Sequence, residues 1–326
     1  MRTYILKRLL LAIPTLFGVS ILVFFMLRIL PGDIVQQVAG ENEVTPELRE
    51  QIERELGLDQ PAWREYLDWL GGVLTLDFGR SLRTRTPIGD QLADTLPTTI
   101  EMSLLALAIA IIIALPIGVL AAVRQDSLWD YVARSTAIAA LAVPSFWLGT
   151  MIIVYASLWF SWSTPVADEY RQIWEDPRAN LEFMLFPFGY FIPVGPAVLL
   201  GIGLTGTVMR LTRAQMLEVL RQDYVRTAWA KGLRERSVVV SHGMKNALIP
   251  VITVIGLQVP ILVGGSVIVE SLYNVPGMGR WLFQSIGFRD YTVVQTITLI
   301  AAVFVVVSNI VVDVTYAYLD PRIRYS

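Results

Sequence analysis

One histidine, His242, and no cysteine leave this chain of 326 residues with little of the usual catalytic inventory. A zinc centre needs several histidine or cysteine ligands, so that chemistry is excluded, as are disulfides and thiol nucleophiles. A histidine-dependent intramembrane enzyme would rest on His242 alone, and no serine–lysine pair stands in any apolar run. No G-x-x-x-x-G-K-[ST] run exists to cradle a triphosphate; Gly264-Gly265 and Gly277-Met278-Gly279 are not followed by the lysine such a loop uses. The notable ionisable residues are Arg28, Glu101, Glu270 and Asp313, at the ends of apolar runs or just inside them. Ionisable groups at membrane depth mark a functional path or a buried partner. Arg28 and Glu101 read as interfacial, Asp313 as half of a structural pair, and all four as structural.

Those positions are defined by six stretches free of charge: Leu9–Leu27, Met102–Val123, Ser135–Ala167, Phe183–Met209, Asn246–Val269 and Tyr291–Val312. A bilayer core about 30 Å thick is crossed by about 20 apolar helical residues. The runs are apolar on every side instead of alternating with period two, which selects helices over strands. The expected fold is therefore an all-α polytopic membrane protein with six transmembrane helices. Composition agrees, at 54% hydrophobic and 17% charged, against about 25% charged in soluble domains. A net charge of −2 offers nothing to nucleic acid. The first run exceeds a signal-peptide core and lacks an A-x-A-like site, so it reads as a retained span.

Lys and Arg set the orientation. An N-in, C-in arrangement places Arg2, Lys7, Arg8, Arg124, Arg134, the eight basic residues of 210–245, Arg322 and Arg324 in the cytoplasm. Pro31–Pro97 then lies outside as an ordered acidic cap. Thr45-Pro46-Glu47 opens a helix that Gly57 would end, and Pro61 opens another with Trp63, Tyr66, Leu67, Leu70 and Leu74 along one face. A second outer loop spans about Trp162 to Phe188, with Trp147, Trp159 and Trp162 as an aromatic belt near it.

The longest cytoplasmic piece, Arg210–Lys245, carries more than charge. Leu217, Leu220, Tyr224 and Ala228, with Val225 and Trp229 beside them, fall at helical spacing, and Gly232 is a natural stop. An amphipathic helix there suits either a lipid surface or a groove on a soluble partner.

Gln222-Asp-Tyr-Val-Arg-Thr-Ala-Trp-Ala-Lys-Gly-Leu233 resembles the cytoplasmic signature of ABC importer permeases, with Arg226-Thr227-Ala228 at the E-A-A position and Gly232 at its glycine. The resemblance extends through Leu27-Arg-Ile-Leu-Pro-Gly-Asp33, Asp77-Phe-Gly-Arg-Ser81, Leu96-Pro-Thr-Thr-Ile-Glu101 and Val143-Pro-Ser-Phe-Trp-Leu-Gly149. It continues through Glu270-Ser-Leu-Tyr-Asn-Val-Pro-Gly-Met-Gly279, Arg289-Asp-Tyr291 and Leu319-Asp-Pro-Arg-Ile-Arg-Tyr325. Together these resemble the B-type transmembrane subunit of the dipeptide/oligopeptide/nickel importer family. That resemblance implies an ABC type I importer-like fold in a bacterial or archaeal plasma membrane. It implies a second homologous permease subunit, two cytoplasmic ATPase subunits holding ATP and Mg, and an extracytoplasmic solute-binding protein, with no cofactor on this chain.

The loop helix would then be the coupling helix, and Tyr224, Val225, Arg226, Ala228, Trp229, Lys231 and Gly232 its ATPase-coupling residues. Lipid headgroups are the competing partner for Arg226 and Lys231. The expected cargo is peptide, the commonest in the family. An ion-coupled secondary transporter is the alternative, although no internal repeat is evident and no acid stands in the middle of a run.

Overall fold

The computed structural model describes residues 2–29, 35, 45–55, 60–162, 170–186 and 194–319. Among these, regular structure is helical apart from one isolated antiparallel bridge, Arg80 to Pro87. Helix α1 (Arg2–Ile29) carries the first apolar run. Helices α2 (Pro46–Glu55) and α3 (Ala62–Leu74) follow, opened at Pro46 and Pro61 as the sequence suggests; Gly57 lies outside the described residues. The expected face of α3 is buried only in part, at Tyr66. Tyr66 is buried, whereas Trp63, Leu67 and Leu74 are exposed. Tyr66 and Trp69, one turn apart, meet Phe24 of α1 at ring centroids of 5.4 and 5.7 Å, and the Tyr66 hydroxyl lies 2.8 Å from Ser20 Oγ.

Helix α4 (Ile88–Val123) starts well before the second apolar run and takes in Pro97 and Glu101. Charge marks where an apolar run stops, not where a helix does: 36 residues at 1.5 Å each span about 54 Å, longer than a bilayer core. The overlong third run resolves into α5 (Leu128–Ala142) and α6 (Ser145–Phe160), whose axes meet at 91°. The elbow is Val143 in extended backbone followed by Pro144, a residue that disfavours helix at the position before it.

The fourth run also divides. Its start forms α7 (Pro177–Leu185), and α8 (Pro196–Leu220) opens at Pro196 and runs past Met209 through Arg210, Arg213 and Glu218. After it come α9 (Asp223–Ala230), the single turn α10 (Glu235–Ser237), a π-helix at Val238–Met244, α11 (Lys245–Leu272), α12 (Met278–Gly287) and α13 (Tyr291–Leu319). Four of the helical stretches are long and apolar enough to cross a membrane, or five if α5 and α6 form one bent span.

Helix α8 is the centre of the bundle and packs on α4, α5 and α11. The α4 contact uses small residues: Ala106, Ala110, Ala114 and Ala121 are buried along it. A Cβ on Gly201 would stand 2.8 Å from Ala106 O, and one on Gly118 2.8 Å from Met209 O. Backbones brought this close are how membrane helices gain packing energy where lipid is as apolar as leucine.

Candidate functional site

The loop that the charge pattern assigns to the cytoplasm begins where α8 ends. The predicted continuous helix from Leu217 to Trp229 is broken: α8 stops at Leu220, Gln222 takes extended backbone (φ −70°, ψ 148°), and α9 starts afresh at Asp223. Leu217 and Leu220 therefore belong to α8. Gly232 closes α9 as predicted, with φ +74°. Its N–H bonds Trp229 O at 2.9 Å and the Leu233 N–H reaches Ala228 O at 3.4 Å, the paired bonds of a glycine-terminated helix end.

At 100° per residue, Val225 and Ala228 form the centre of the apolar stripe on α9, flanked by Tyr224 and Trp229. The structure turns that centre inward: Val225 and Ala228 are buried and cluster with Val238 of the π-helix and with Val219 and Leu220. The whole stripe was expected to be offered to a partner, but this chain covers its middle. Tyr224 and Trp229 are left half exposed, at 43% and 45%. Arg226 and Lys231 are exposed, and Arg226 makes only a loose pair with Asp223 at 3.5 Å. The outward surface is two aromatic edges beside two cations. Tyr224 also faces back: Asn246 Nδ2 donates to its hydroxyl at 2.7 Å, and the hydroxyl donates to His242 O at 3.2 Å.

A clamp invisible in the sequence holds the start of α5 to the C-terminal half of α8. Arg213 grips the fully buried Asp130 through Nε at 2.6 Å and Nη2 at 2.7 Å, and Arg134 Nε lies 3.5 Å away. Ser127 Oγ accepts from Asp130 N, while Asp130 Oδ2 accepts from Asp126 N. Ser127-x-x-Asp130 is the spacing that signals a helix start, and could have been read as one.

Near the C-terminal end of α11, Glu270 is fully buried. Its carboxylate accepts from Thr99 Oγ1 at 2.8 Å and from Arg280 N at 2.9 Å, and Thr99 Oγ1 in turn accepts from Met278 N at 2.8 Å. A helix N-terminus has unpaired N–H groups and a partial positive charge; Glu270 and Thr99 supply the acceptors for α12. A Cβ on Gly277 would stand 2.4 Å from Glu270 Oε2, which accounts for glycine beside the carboxylate. Asp290 does the same for α13 and holds the outer hairpin as well, accepting from Ser81 Oγ, from Leu82 N at 3.2 Å and from Val293 N at 3.4 Å. Arg83 lies over the Phe288 ring at 3.2 Å.

Glu101 accepts from the Tyr170 hydroxyl at 3.0 Å; burial pushes that phenol's pKa up, so it stays a donor. Asp313 pairs with Arg8 at 3.0 Å. The Arg28 side chain lies outside the described residues.

Residues 114–325 match the family described as binding-protein-dependent transport system inner membrane component, and residues 1–103 match the N-terminal part of such membrane components. The chain is 38% identical over 339 residues to the dipeptide transport system permease protein DppB of Escherichia coli K12, covering 100% of this chain and 99% of that protein. It is 40% identical over 337 residues to the di/tripeptide permease protein DppB of Pseudomonas aeruginosa UCBPP-PA14, with 100% and 99% coverage. It is 39% identical over 326 residues to the oligopeptide permease protein AppB of Bacillus subtilis 168, covering all of both. Among solved structures, an inward-facing MetNI methionine ABC transporter matches with TM-score 0.54 at 16% identity, over 71% of this chain and 96% of that one. An amino acid ABC transporter with histidines matches with TM-score 0.52 at 16% identity, over 70% and 94%. At that identity the likeness concerns the fold.

Proposed function

The chain belongs to the binding-protein-dependent transport system inner membrane components, and from that premise we propose that it forms half of the path of an ATP-driven peptide importer. The observation that carries this reading is similarity over the whole chain to permease subunits named for dipeptides, tripeptides and oligopeptides. It is a permease subunit and not an enzyme. The other half of the path is a second homologous permease subunit. Two cytoplasmic ATPase subunits carry ATP and Mg, and an extracytoplasmic solute-binding protein brings the peptide.

Six crossings, N-in and C-in, fit the chain when the bent pair α5–α6 counts as one and α8 as another. The charges of α8 gather at the end that also carries the Asp130–Arg213 clamp, which suits an inner membrane boundary. The coupling surface is α9. Tyr224 and Trp229 present their edges to a cleft on the ATPase, Arg226 and Lys231 meet its acids, and Val225 and Ala228 hold the helix on the permease. Gly232 sets the turn back. Rim charges of this kind tune partner choice more than affinity.

The test is purification of the tagged chain from its native membrane in mild detergent, with co-purifying proteins identified by mass spectrometry. A second permease subunit and soluble ATPases are expected, with the ATPases lost when Tyr224, Trp229 and Arg226 are replaced together by alanine. Recovery of the chain alone or as a homo-oligomer would overturn the importer reading.

A further inference from the structure

Helix α9 is fastened asymmetrically. Towards α8 it has side-chain packing on Val219 and Leu220 across the two-residue break Arg221-Gln222. Towards α11 it has packing and hydrogen bonds together. Val225 and Ala228 are buried on Val238. The Tyr224 hydroxyl is held from both sides, by Asn246 Nδ2 at 2.7 Å and His242 O at 3.2 Å. Asn246 lies in the first turn of α11 and His242 in the π-helix that leads into it. A π-helix is rare and marks functional positions in helices more often than chance allows. Helix α11 then runs to Leu272. At its far end Glu270 bonds Thr99 of α4 and the backbone N–H of Arg280 in α12.

We propose that Asn246 is a positioning residue that locks α9 to the foot of α11, so that a displacement of α9 by the ATPase is delivered to α11 as a rod. The inference rests on α9 being the coupling surface. Packing of Val225 and Ala228 on Val238 carries push. The Tyr224 hydroxyl bridge fixes the rotation of α9, which apolar packing alone leaves loose because it has no directionality. Glu270 at the head of the same rod passes the movement to the start of α12 on the outer face.

The experiment uses the complete transporter, with its partner permease, ATPases and binding protein, in proteoliposomes. Asn246→Ala removes the shorter of the two hydrogen bonds on the Tyr224 hydroxyl, at an exposed position, and leaves the one to His242 O. Complex recovery and basal ATP hydrolysis should match the unmodified protein, while peptide taken up per ATP hydrolysed falls about fivefold, the size of effect expected for one lost hydrogen bond. Asn246→Asp keeps one bond across this contact, since the Tyr224 hydroxyl can turn its single hydrogen from His242 O to the carboxylate, and should recover part of the ratio. An unchanged ratio in Asn246→Ala, or an equal loss in Asn246→Asp, overturns the proposal. Absence of ATPase subunits from the unmodified complex would instead overturn the coupling reading on which it rests.

A second measurement does not depend on that side chain. In this cysteine-free chain, Val225→Cys with Val238→Cys places one thiol pair within the buried cluster. With the disulfide verified by loss of both free thiols, uptake by this variant should be the same before and after oxidation if α9 and the foot of α11 move as one body. Loss of uptake on oxidation, reversed by reductant, would mean that they move apart.

Discussion

Gly232→Leu isolates one physical quantity at α9, the proposed coupling helix. The residue sits at φ +74° with nothing within 4 Å of the position a Cβ would take, so a larger side chain meets no steric obstacle. The cost is conformational: a non-glycine L-residue in the left-handed region loses about 1–2 kcal/mol. That is small beside the stability of a folded domain, about 5–15 kcal/mol, so the protein should reach the membrane at normal levels. It is large for one turn. The equilibrium between the closed helix end, with Gly232 N to Trp229 O and Leu233 N to Ala228 O, and a frayed one shifts by about 5- to 30-fold. Since α9 has eight residues, fraying its last turn removes Trp229 from its place. ATP-dependent peptide uptake in proteoliposomes, normalised to assembled complex, should fall at least about fivefold. Gly232→Asn, which tolerates the left-handed region, should stay near the unmodified rate. Normal uptake by Gly232→Leu at equal complex levels would refute the reasoning, because the strain would then not reach the coupling surface.

Arg213→Ala strands the buried Asp130 with Arg134 as its nearest cation; loss of one partner of a buried pair costs about 3–5 kcal/mol, measured as a lower thermal midpoint in detergent. Replacing both, as Asp130→Asn with Arg213→Met, should recover part of that loss. Gly277→Ala drives a methyl to 2.4 Å from the Glu270 carboxylate and should destabilise by about 1–3 kcal/mol, whereas Gly287→Ala, with nothing within 4 Å, should be neutral within about 0.5 kcal/mol. The Arg8–Asp313 pair is partly exposed, at 44% and 28%, so Arg8→Ala should cost at most about 1 kcal/mol; a thermal loss as large as that of Arg213→Ala would contradict this ranking.

The apolar runs located the long helices because a bilayer imposes a length, and Gly232, Pro46 and Pro61 located ends because backbone chemistry imposes a residue. Boundaries were lost where helix and membrane part company. Helix α4 begins at Ile88, ahead of the charge-free run, so Met102 was not its start, and Pro144 divides a charge-free run that composition alone reads as one. The direction of α9 was also beyond reach. Val225 and Ala228 make a good apolar stripe whichever surface covers it, and their cover, Val238, belongs to a segment whose π-helical path has no sequence signature. Trp69 was passed over because Trp63 continued a plausible stripe; the deciding contact, Phe24, lies on another helix.

The four structural anchors at helix starts share one logic. Asp176 accepts from Arg178 N and Ala179 N at the head of α7, Asp290 serves α13, Asp130 completes the start of α5, and Glu270 reaches from the end of α11 to the head of α12. Each places carboxyl oxygen acceptors where unpaired N–H groups need them, and at a membrane boundary that need is sharper because water is scarcer. Two are local and legible from spacing. The other two depend on partners 171 and 209 residues away, Thr99 for Glu270 and Ser81 for Asp290, which no single sequence displays. Glu101 and Asp313 have partners too, in Tyr170 and Arg8. Acids at the edges of apolar runs are thus occupied by helix ends, a phenol and a cation. A proton- or sodium-driven mechanism would need a carboxylate at membrane depth able to exchange its partner, and these are engaged in holding the bundle together. Among the described acids, these contacts favour the ATP-driven reading proposed above over an ion-coupled one.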